Sequence, residues 1–334
     1  MKRYMLFAVA LVLTLTLGTA SAARVIQLGH IDANIMEDPY YLYAYRFGEN
    51  LKELSGGEFE IDIIGDAQLG SEAAMLEGMS IETIDAAIIS NFTFSSFVPE
   101  FCTFDMPYLF ENKEQVYAVV DNADIVGEME NALYEQHNAK VLHYADGGFR
   151  SIISAQKPIR TPADFAGLKI RVPGNDTYLK AFEALGASPI TMASSECIPG
   201  LQQGTIDAME QPICPMYSYG AYEICKYIVM TEHIFNPITI TVSRGLWDSL
   251  SEEEQGWFMQ AAETAAASQR EEIDALEDVL LQRMQENSSA TVIVPESKDA
   301  FRQACETAYE AYYATYGHEI MDKVEAAKAS VSAQ

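Results

Sequence analysis

The chain has 334 residues, of which 49% are apolar and 21% charged, so it is long and apolar enough to bury the cores of about two domains. Its 49 acidic and 21 basic residues give a formal net charge of −28, which excludes nucleic acid as a partner because the two surfaces would repel each other. The same charge disfavours docking to an anionic membrane surface. With so few basic residues, the position of each arginine is informative.

The first 22 residues predict an export signal. Lys2 and Arg3 precede an apolar run over 5–17, which ends in small residues at 18–22. A basic start, a short apolar middle and a small-residue exit are typical of a cleaved signal peptide, and the run is too short for a convincing membrane span. A retained anchor helix is the alternative. We expect an exported, soluble mature chain that begins near Ala23 and carries no lipid anchor, because no cysteine follows the cleavage site.

Short apolar strands alternate with helical patterns along the first two thirds of the chain. The predicted strands are 24–28, 59–63, 86–89, 140–144, 168–172 and 206–209. The predicted helices are 38–54, 71–79, 112–137 and 176–185, with a short helical turn at 161–162. This alternation predicts an α/β fold with a mainly parallel sheet covered by helices.

The last third of the chain is predicted to be mostly helical. Ser251 and Glu254 form a capping box that begins a helix over 251–287, about 45 Å or more in length. A rod of this length is expected to span or brace two lobes. A coiled-coil dimer is the alternative, but the helix lacks a clean a/d seam. A final helix is predicted over 298–328.

Two segments of the chain echo each other. Leu69-Gly70 is followed by Thr83-Ile84-Asp85-Ala86, and Leu185-Gly186 is followed by Thr205-Ile206-Asp207-Ala208. In both cases a helix lies between and the second motif leads into a strand. The echo predicts two lobes of related topology, which would bind a ligand in the cleft between them.

The five cysteines carry no recognisable redox or metal motif. None forms a Cys-x-x-Cys pair, which argues against a zinc ribbon or a thioredoxin-like site. An oxidising compartment permits a disulfide, with Cys197–Cys214 or Cys214–Cys225 as the candidate pairs. Buried free thiols are the alternative for these residues and for Cys102 and Cys305.

The chain lacks the usual catalytic and cofactor motifs. It has no nucleophile elbow, phosphate-binding loop or dinucleotide motif, no zinc or calcium pattern, and no close pair of histidines for a metal. No cofactor is implied, and an exported protein of this kind is predicted to be a binding protein.

Arg171 lies inside the apolar strand 168–172, where it must reach solvent or meet an anion. Its planar fork matches a carboxylate, although an internal bridge to Asp or Glu is the alternative.

Several segments in the middle of the chain carry a family resemblance. Gly148-Phe149-Arg150, followed by the run 157–173 (KPIRTPADFAGLKIRVP), resembles the solute-binding proteins of TRAP transporters, the tripartite ATP-independent periplasmic transporters, of the dicarboxylate-binding type. The segments 185–190 and 201–212 continue the match, and 67–70, 105–110 and 247–251 also fit. The order and spacing of these segments carry the resemblance, which covers essentially the whole mature chain.

The resemblance implies a periplasmic, two-lobed α/β binding protein that closes on an organic acid and delivers it to TRAP permease subunits. It implies that Arg171 clamps the ligand carboxylate, that Arg150 adds a second positive donor, and that Gln211 hydrogen-bonds the ligand where the family usually has Asn. The expected organisation is a signal peptide (1–22), lobe 1 (23–147) and lobe 2 (148–236). The last part (237–334) would hold a strand returning toward lobe 1, the bracing helix and a helical tail. We expect a monomer.

Weaker candidates for ligand contact lie near predicted strand ends and in loops. They are His30, Asp32 and Asn34 in the N-terminal loop, and Asn91, Asp146, Phe149, Asn175 and Tyr217. An alternative for Asp146 is an ion pair with Arg150. Glu82 stands where the family tends to have Gly, which leaves the geometry of that loop open. Two other functions compete: a binding protein that presents ligand to a sensor, and a secreted enzyme using Asp146 and Glu210 as acid and base.

Overall fold

A computed structural model describes residues 23–332, so the predicted signal peptide lies outside the described residues. The chain begins with two βα units and a third strand: β1 (Arg24–Gly29), α1 (Pro39–Leu54), β2 (Phe59–Ile64), α2 (Glu72–Ser80) and β3 (Ala86–Ser90). The short α3 (Asn91–Phe94), a 3₁₀ segment (Pro99–Asp105), α4 (Lys113–Val120) and α5 (Ala123–His137) lead into the long strand β4 (Ala139–Ser154).

The second half repeats this arrangement before returning to the first. After a 3₁₀ turn (Pro162–Phe165) come β5 (Lys169–Val172), α6 (Asp176–Ala184), β6 (Ser188–Thr191), α7 (Ser194–Gln203) and β7 (Ala208–Gln211). Then follow α8 (Ile213–Ser218), a 3₁₀ turn (Ala221–Glu223), the long strand β8 (Tyr227–Ser243), α9 (Arg244–Asp248) and α10 (Glu252–Asn287). The chain ends with β9 (Thr291–Ile293), α11 (Asp299–Ala304), α12 (Glu306–Tyr316) and α13 (Glu319–Ser332).

All nine strands of the described chain join one mixed sheet. Its order is β2-β1-β3-β8-β4-β7-β5-β6, with β9 pairing along β8. Parallel pairing is confined to the two lateral groups and to β9, whereas β3–β8, β4–β8 and β4–β7 are antiparallel. Five of the eight strand pairings are parallel, as expected, and the two long strands β4 and β8 join the halves by antiparallel pairing.

The two lateral groups share one topology. In each group the first strand lies between the other two and pairs with both in parallel, giving β2-β1-β3 and β6-β5-β7. The sequence echo marks equivalent turns, because the N–H groups of Thr83 and Thr205 donate to the carbonyls of Gly78 and Gly200 at 2.8 and 2.9 Å. The first parts of the echo are not equivalent: Leu69-Gly70 precedes a helix, whereas the Leu-Gly pair at 185–186 precedes a strand.

Two helices predicted as continuous are broken. The helix predicted over 112–137 begins at its Asn112 cap but is interrupted after Val120, because the Asn122 side chain accepts from the Asp124 N–H at 3.0 Å and caps a new helix. The helix predicted over 298–328 is three helices, and Gly317, at φ 72°, ends the second of them. Local capping residues set both interruptions.

Helix α10 packs on both halves of the molecule. The capping box of Ser251 and Glu254 starts it as predicted. Its first half packs Phe258 against the rings of Phe47 and Phe59 in the core around α1 and β1. Its second half contributes residues such as Leu280 to the core around β7 and α8. The helix therefore connects two separate apolar clusters through one rigid element.

The predicted lobe boundaries fall inside the two long strands. Residues 147–148 lie within β4, and residues 236–237 lie within β8. The pairing of β4 with β8 shifts register between Asp146 and Phe149 and again between Arg150 and Ile152. These irregularities lie where a hinge between two lobes would be, so the division into lobes remains our interpretation.

The cysteines are buried thiols. All five are free and pack into the apolar clusters. The candidate disulfides Cys197–Cys214 and Cys214–Cys225 are therefore wrong. Within residues 23–332, no helix is long and apolar enough to cross a membrane.

Candidate functional site

Two buried arginines stand on strands that flank β7. Arg150 lies on β4 and Arg171 on β5, and β7 lies between these strands. Arg150 is only 2% exposed and Arg171 only 3%. Strand β7 ends with Glu210 and Gln211, which are also buried. The order of strands thus brings together the arginines and the amide that the sequence singled out.

Arg171 has no acidic partner in the described chain. Its Nε donates to the carbonyl of Met192 at 2.9 Å, and its Nη2 donates to Ser194 Oγ at 3.3 Å. Within residues 23–332, no carboxylate forms an ion pair with its guanidinium, so the predicted alternative of an internal bridge is wrong. A buried guanidinium that meets only neutral acceptors is a strong site for an anion.

Arg150, in contrast, is already paired. Its Nη2 donates to Glu210 Oε1 at 2.7 Å and to the Glu210 carbonyl at 3.0 Å, and its Nε donates to Oε2. The rings of Phe92 and Tyr178 lie 5.7 and 5.4 Å from its guanidinium carbon. The suggested ion pair of Arg150 with Asp146 is wrong.

Glu210 keeps its negative charge in this buried position. Burial by itself would raise the pKa of Glu210, but Arg150 and the neighbouring His233 hold it below its usual value. The His233 Nε2 lies 3.5 Å from Glu210 Oε2, and burial lowers the pKa of this histidine. The Arg150–Glu210 pair is therefore neutral as a unit.

The loop after β1 contributes a buried carboxyl, Asp32, to the surroundings of the arginines. Asp32 accepts a hydrogen bond from the hydroxyl of Tyr219, which follows α8. Burial raises the pKa of Asp32 to about 7, Glu72 adds to this increase, and Arg150 and Arg171 oppose it. Asp32 is thus within electrostatic range of both arginines. Its hydrogen bond with Tyr219 connects the two halves of the molecule.

Glu72 is anchored at the end of β3. Its Oε1 accepts from the Ser90 N–H at 3.2 Å, and its Oε2 accepts from the hydroxyls of Ser90 and Thr93, both at 2.5 Å. Burial raises the pKa of Glu72. The neighbouring Tyr40, together with Ser90 and Thr93, opposes this increase. These contacts fix a second buried carboxyl close enough to Asp32 to raise its pKa.

Asn91 and Asn175, both predicted to contact ligand, bind a protein carboxyl instead. Asp105 accepts from Asn91 Nδ2 at 2.9 Å and from Asn175 Nδ2 at 3.0 Å. Asn175 Nδ2 also lies 2.7 Å from Ser95 Oγ and 3.0 Å from the Phe92 carbonyl. Its Oδ1 caps α6. The structure therefore assigns Asn175 to a link between α6 and the segment around α3.

Gln211 remains the amide best placed for a ligand. It is 5% exposed at the end of β7, and its side chain makes no hydrogen bond within residues 23–332. Its backbone pairs with Ser151 on β4. The amide is therefore free to donate to and accept from a ligand.

Asp146 lies at a register shift between β4 and β8 and is held by protein donors. It is fully buried and accepts from Lys113 Nζ at 2.9 Å, from Tyr117 OH at 2.7 Å and from the Gly148 N–H at 2.6 Å. These three donors leave it no free role toward a ligand.

The remaining predicted contacts lie in packing or surface positions. Phe149 meets Phe235 edge-on with ring centroids 5.0 Å apart, and Tyr217 stacks on Tyr222 at 5.6 Å. Asn34 is exposed, and its Oδ1 accepts from a histidine of the same loop at 2.7 Å. These three side chains have protein partners, and their contact with a ligand stays a prediction.

For the acidic residues of the site, the sequence carries only partial signals. Glu210, like Arg171, is a charged residue inside an apolar strand, but the sequence suggests it only as one of two acid–base residues. Glu72 looks like an ordinary acidic residue in the first turn of a helix, and Tyr219 lies in a tyrosine-rich run. Within residues 23–332, no group of three or more His, Cys, Asp or Glu side chains is arranged to hold a metal ion.

Comparison with known proteins places the chain in a family. Residues 31–316 match the family described as bacterial extracellular solute-binding protein, family 7. The chain is 31% identical over 267 residues, 80% of each protein, to the 2,3-diketo-L-gulonate-binding periplasmic protein of Escherichia coli K12.

Solved structures agree with this match. The sugar acid binding protein of Advenella mimigardefordensis, in complex with galactonate, superposes with a TM-score of 0.86 at 26% identity, covering 92% of this chain and 98% of that one. A TRAP periplasmic solute-binding protein of Sulfurospirillum deleyianum with bound succinate gives a TM-score of 0.85 at 26% identity, covering 92% and 100%. The chain belongs to family 7 of the bacterial extracellular solute-binding proteins, the solute-binding proteins of TRAP transporters.

Proposed function

We propose that this protein captures an organic acid anion between its two lobes and delivers it to the membrane permease of a TRAP transporter. The observation that carries the proposal is Arg171, a buried guanidinium that binds only a carbonyl and a hydroxyl of the protein. A ligand carboxylate would complete its fork with two charge-assisted hydrogen bonds. The unengaged amide of Gln211 is the natural second donor.

The cellular setting follows from the family. Its members work in the periplasm with TRAP permeases, and we infer that residues 1–22 direct this chain there and are removed. We infer that the mature protein acts as a monomer. The family supports the transport role over ligand presentation to a sensor. The relatives are solute-binding proteins and not enzymes, and the two suggested acid–base residues, Asp146 and Glu210, are both held in ion pairs.

Native mass spectrometry of the protein from residue 23 onward, before and after denaturation, tests for a co-purified organic acid. A thermal-shift screen of carboxylates follows if no acid is released. A released acid, or a stabilising one, supports the proposal. A flat screen together with no released mass contradicts it.

The role of Arg171 is tested by Arg171→Ala and Arg171→Lys with the acid so found. Removing one partner of a buried charge pair costs about 2–5 kcal/mol, so Arg171→Ala should raise Kd by about 30- to 4000-fold. Arg171→Lys should also weaken binding because the bidentate fork is lost. Arg244→Ala, which removes an exposed arginine of a surface pair, is the control and should leave Kd unchanged. An unchanged Kd in both Arg171 variants would remove this residue from the site.

A further inference from the structure

Three neighbouring buried carboxyls in the first part of the chain have no cationic partner. Asp32, Asp38 and Glu72 are 3%, 0% and 4% exposed. Within residues 23–332, none of them forms an ion pair with a lysine, arginine or histidine, and the hydrogen bonds that they accept come from neutral donors. A buried carboxylate without a counter-ion is costly, and the cost is relieved when the group takes a proton.

Two of these carboxyls bond to adjacent residues of the other half of the molecule. The hydroxyl of Tyr219 donates to Asp32 Oδ1, and the hydroxyl of Ser218 donates to Asp38 Oδ2 at 3.4 Å. Ser218 is the last residue of α8, and Asp38 caps α1. Neutral hydroxyls thus hold both carboxyls in place where one half meets the other.

Asp32 is the carboxyl on which the cleft arginines act. Burial raises its pKa to about 7, Glu72 adds to this increase, and Arg150 and Arg171 oppose it. Arg150 is paired with Glu210, whereas Arg171 bonds only to a carbonyl and a hydroxyl. The titratable and charged groups that act on Asp32 or respond to it are Asp38, Tyr40, Glu72, Arg150, Arg171 and Tyr219.

A carboxylate bound at Arg171 changes this balance. It offsets a positive charge that favours ionised Asp32, and it adds a negative charge to the same buried region. Both effects raise the pKa of Asp32 above its value in the free protein. We infer that Asp32 takes up a proton when an organic acid anion binds at Arg171, so that the protein captures the anion and a proton together. The inference rests on the proposed function and adds control by pH to it.

Proton uptake makes the affinity depend on pH. Below about pH 7, Asp32 is already protonated in the free protein, so Kd changes little with pH. Above this pH, the free protein has lost the proton that the complex retains, and Kd rises with pH. We expect Kd to rise by about three- to tenfold from pH 6.5 to pH 8.5. Capture is therefore tighter at mildly acidic pH.

Isothermal titration calorimetry in buffers of different ionisation enthalpy counts the protons. The first probes are D-galactonate and succinate, because solved relatives hold galactonate and succinate, and the other acids of the carboxylate screen follow. At pH 7.5 these carboxylates are already ionised. Binding enthalpies in phosphate, HEPES and Tris should report uptake of about 0.5 proton per bound acid. Binding without proton uptake overturns the inference but leaves the proposed function standing. Binding of no acid in the screen overturns both.

Asp32→Asn tests the residue itself. The amide cannot titrate, and its oxygen can still accept from Tyr219. The variant should take up less than about 0.1 proton. It should bind the acid as tightly as the parent at pH 6.5 and about three- to tenfold more tightly at pH 8.5. A folding defect would weaken binding at both pH values, so this gain is specific to the lost charge.

Glu277→Gln is the matched control. Burial raises the pKa of Glu277 to about 7 as well, but the charges that act on it are those of Asp146, Lys113 and Asp274, and neither cleft arginine is among them. The variant should therefore take up as many protons as the parent. Loss of uptake in Glu277→Gln as well as in Asp32→Asn would assign the proton to the whole fold and overturn the role of Asp32.

Tyr219→Phe gives a second test that remains if Asp32→Asn does not fold. The hydrogen bond from Tyr219 lowers the pKa of Asp32, so its removal should move the range of proton uptake to higher pH. Circular dichroism checks that each variant is folded. Full uptake in a folded Asp32→Asn, or an unmoved range in a folded Tyr219→Phe, overturns the role of Asp32. The proton count of the unaltered protein decides the coupling in every case.

Discussion

The two cleft arginines differ only in their partners, and this difference decides their roles. Both are buried in strands of the same sheet. Arg171 meets neutral acceptors, whereas Arg150 meets Glu210. A buried charge must be compensated. Arg171 therefore depends on a ligand for its counter-ion, and Arg150 does not.

Asp32 is expected to make stability depend on pH. Its pKa in the folded protein, about 7, lies above the ordinary value of 3.8, so the native state retains a proton that the unfolded chain releases. The contribution of Asp32 to the free energy of unfolding therefore falls as pH rises from about 4 to about 7. Asp32→Asn removes this titration while its amide oxygen can still accept from Tyr219. Without ligand, the free energy of unfolding of the variant minus that of the parent should increase by about 2 kcal/mol from pH 4.5 to pH 8.

Urea unfolding of both proteins at the two pH values measures this difference. Asp62→Asn, on the exposed side of β2, is the control and should track the parent. A parent-to-variant difference that stays constant with pH would rule out titration of Asp32 in this window.

At the scale of the elements, the repeated turn between a helix and the next strand is built from different residues in the two halves. Glu82 and Gly204 occupy equivalent positions, and both have positive φ, 58° and 72°. Glycine adopts this conformation freely, whereas a residue with a Cβ is strained there. The sequence left the geometry of this loop open because Glu82 replaces the family's usual Gly. In the structure the turn is kept, and Glu82 adopts the strained left-handed conformation.

Glu82→Gly should therefore stabilise the protein by about 0.5–1 kcal/mol, since relief of the left-handed strain exceeds the added flexibility of the unfolded chain. Glu82→Ala retains the Cβ and is the matched control, with no stabilisation expected. Denaturant unfolding measures both. Equal effects of the two substitutions would trace the change to the lost carboxylate and not to the backbone.

Asn175 links two elements across the cleft, and Asn175→Asp should loosen that link. The new carboxylate can still cap α6, but it cannot donate to Asp105, Ser95 or the Phe92 carbonyl and would face the Asp105 carboxyl. At neutral pH we expect a larger radius of gyration by small-angle X-ray scattering and faster ligand release. At acidic pH the new carboxyl is protonated, so both quantities should return partly toward the parent values. Asn122→Asp changes a helix cap in the same way away from the cleft and should leave both unchanged. An unchanged radius and release rate in Asn175→Asp would show that the link does not hold the lobes together.

At the scale of the whole molecule, α10 packs on both halves and bonds to β4 beside its register shift against β8. Gln269 lies in the middle of α10 and is fully buried. Its Oε1 accepts from the Asp146 N–H at 3.0 Å, and its Nε2 donates to the carbonyls of Asp146 at 2.7 Å and Pro39 at 3.3 Å. One side chain thus satisfies backbone groups of β4 and α1 that water cannot reach.

Gln269→Ala should leave these backbone groups unpaired and lower the free energy of unfolding by about 2–4 kcal/mol. Gln282→Ala, on the exposed face of the same helix, is the control and should change it by less than about 0.5 kcal/mol. Urea unfolding measures both. A small effect at Gln269 would show that water or a local shift replaces its bonds.

The sequence by itself determined what depends on neighbours along the chain. Asn112 and Ser251 start helices because a cap bonds to backbone within three residues, and both predictions are confirmed. Arg171 could be singled out because a charge inside an apolar strand is costly whatever surrounds it. The order of family motifs also lies in the sequence, and the comparisons confirm the family.

Only the tertiary structure decided which distant groups meet. Glu210 is 60 residues from Arg150, and Tyr219 is 187 residues from Asp32, so no local pattern predicts either pair. Asn175 was expected at the ligand but binds Asp105, since packing of α6 against the α3 segment gives its amide a protein partner. The sequence supplies the charges and amides, but the order of strands decides which are paired within the protein and which are left for a ligand.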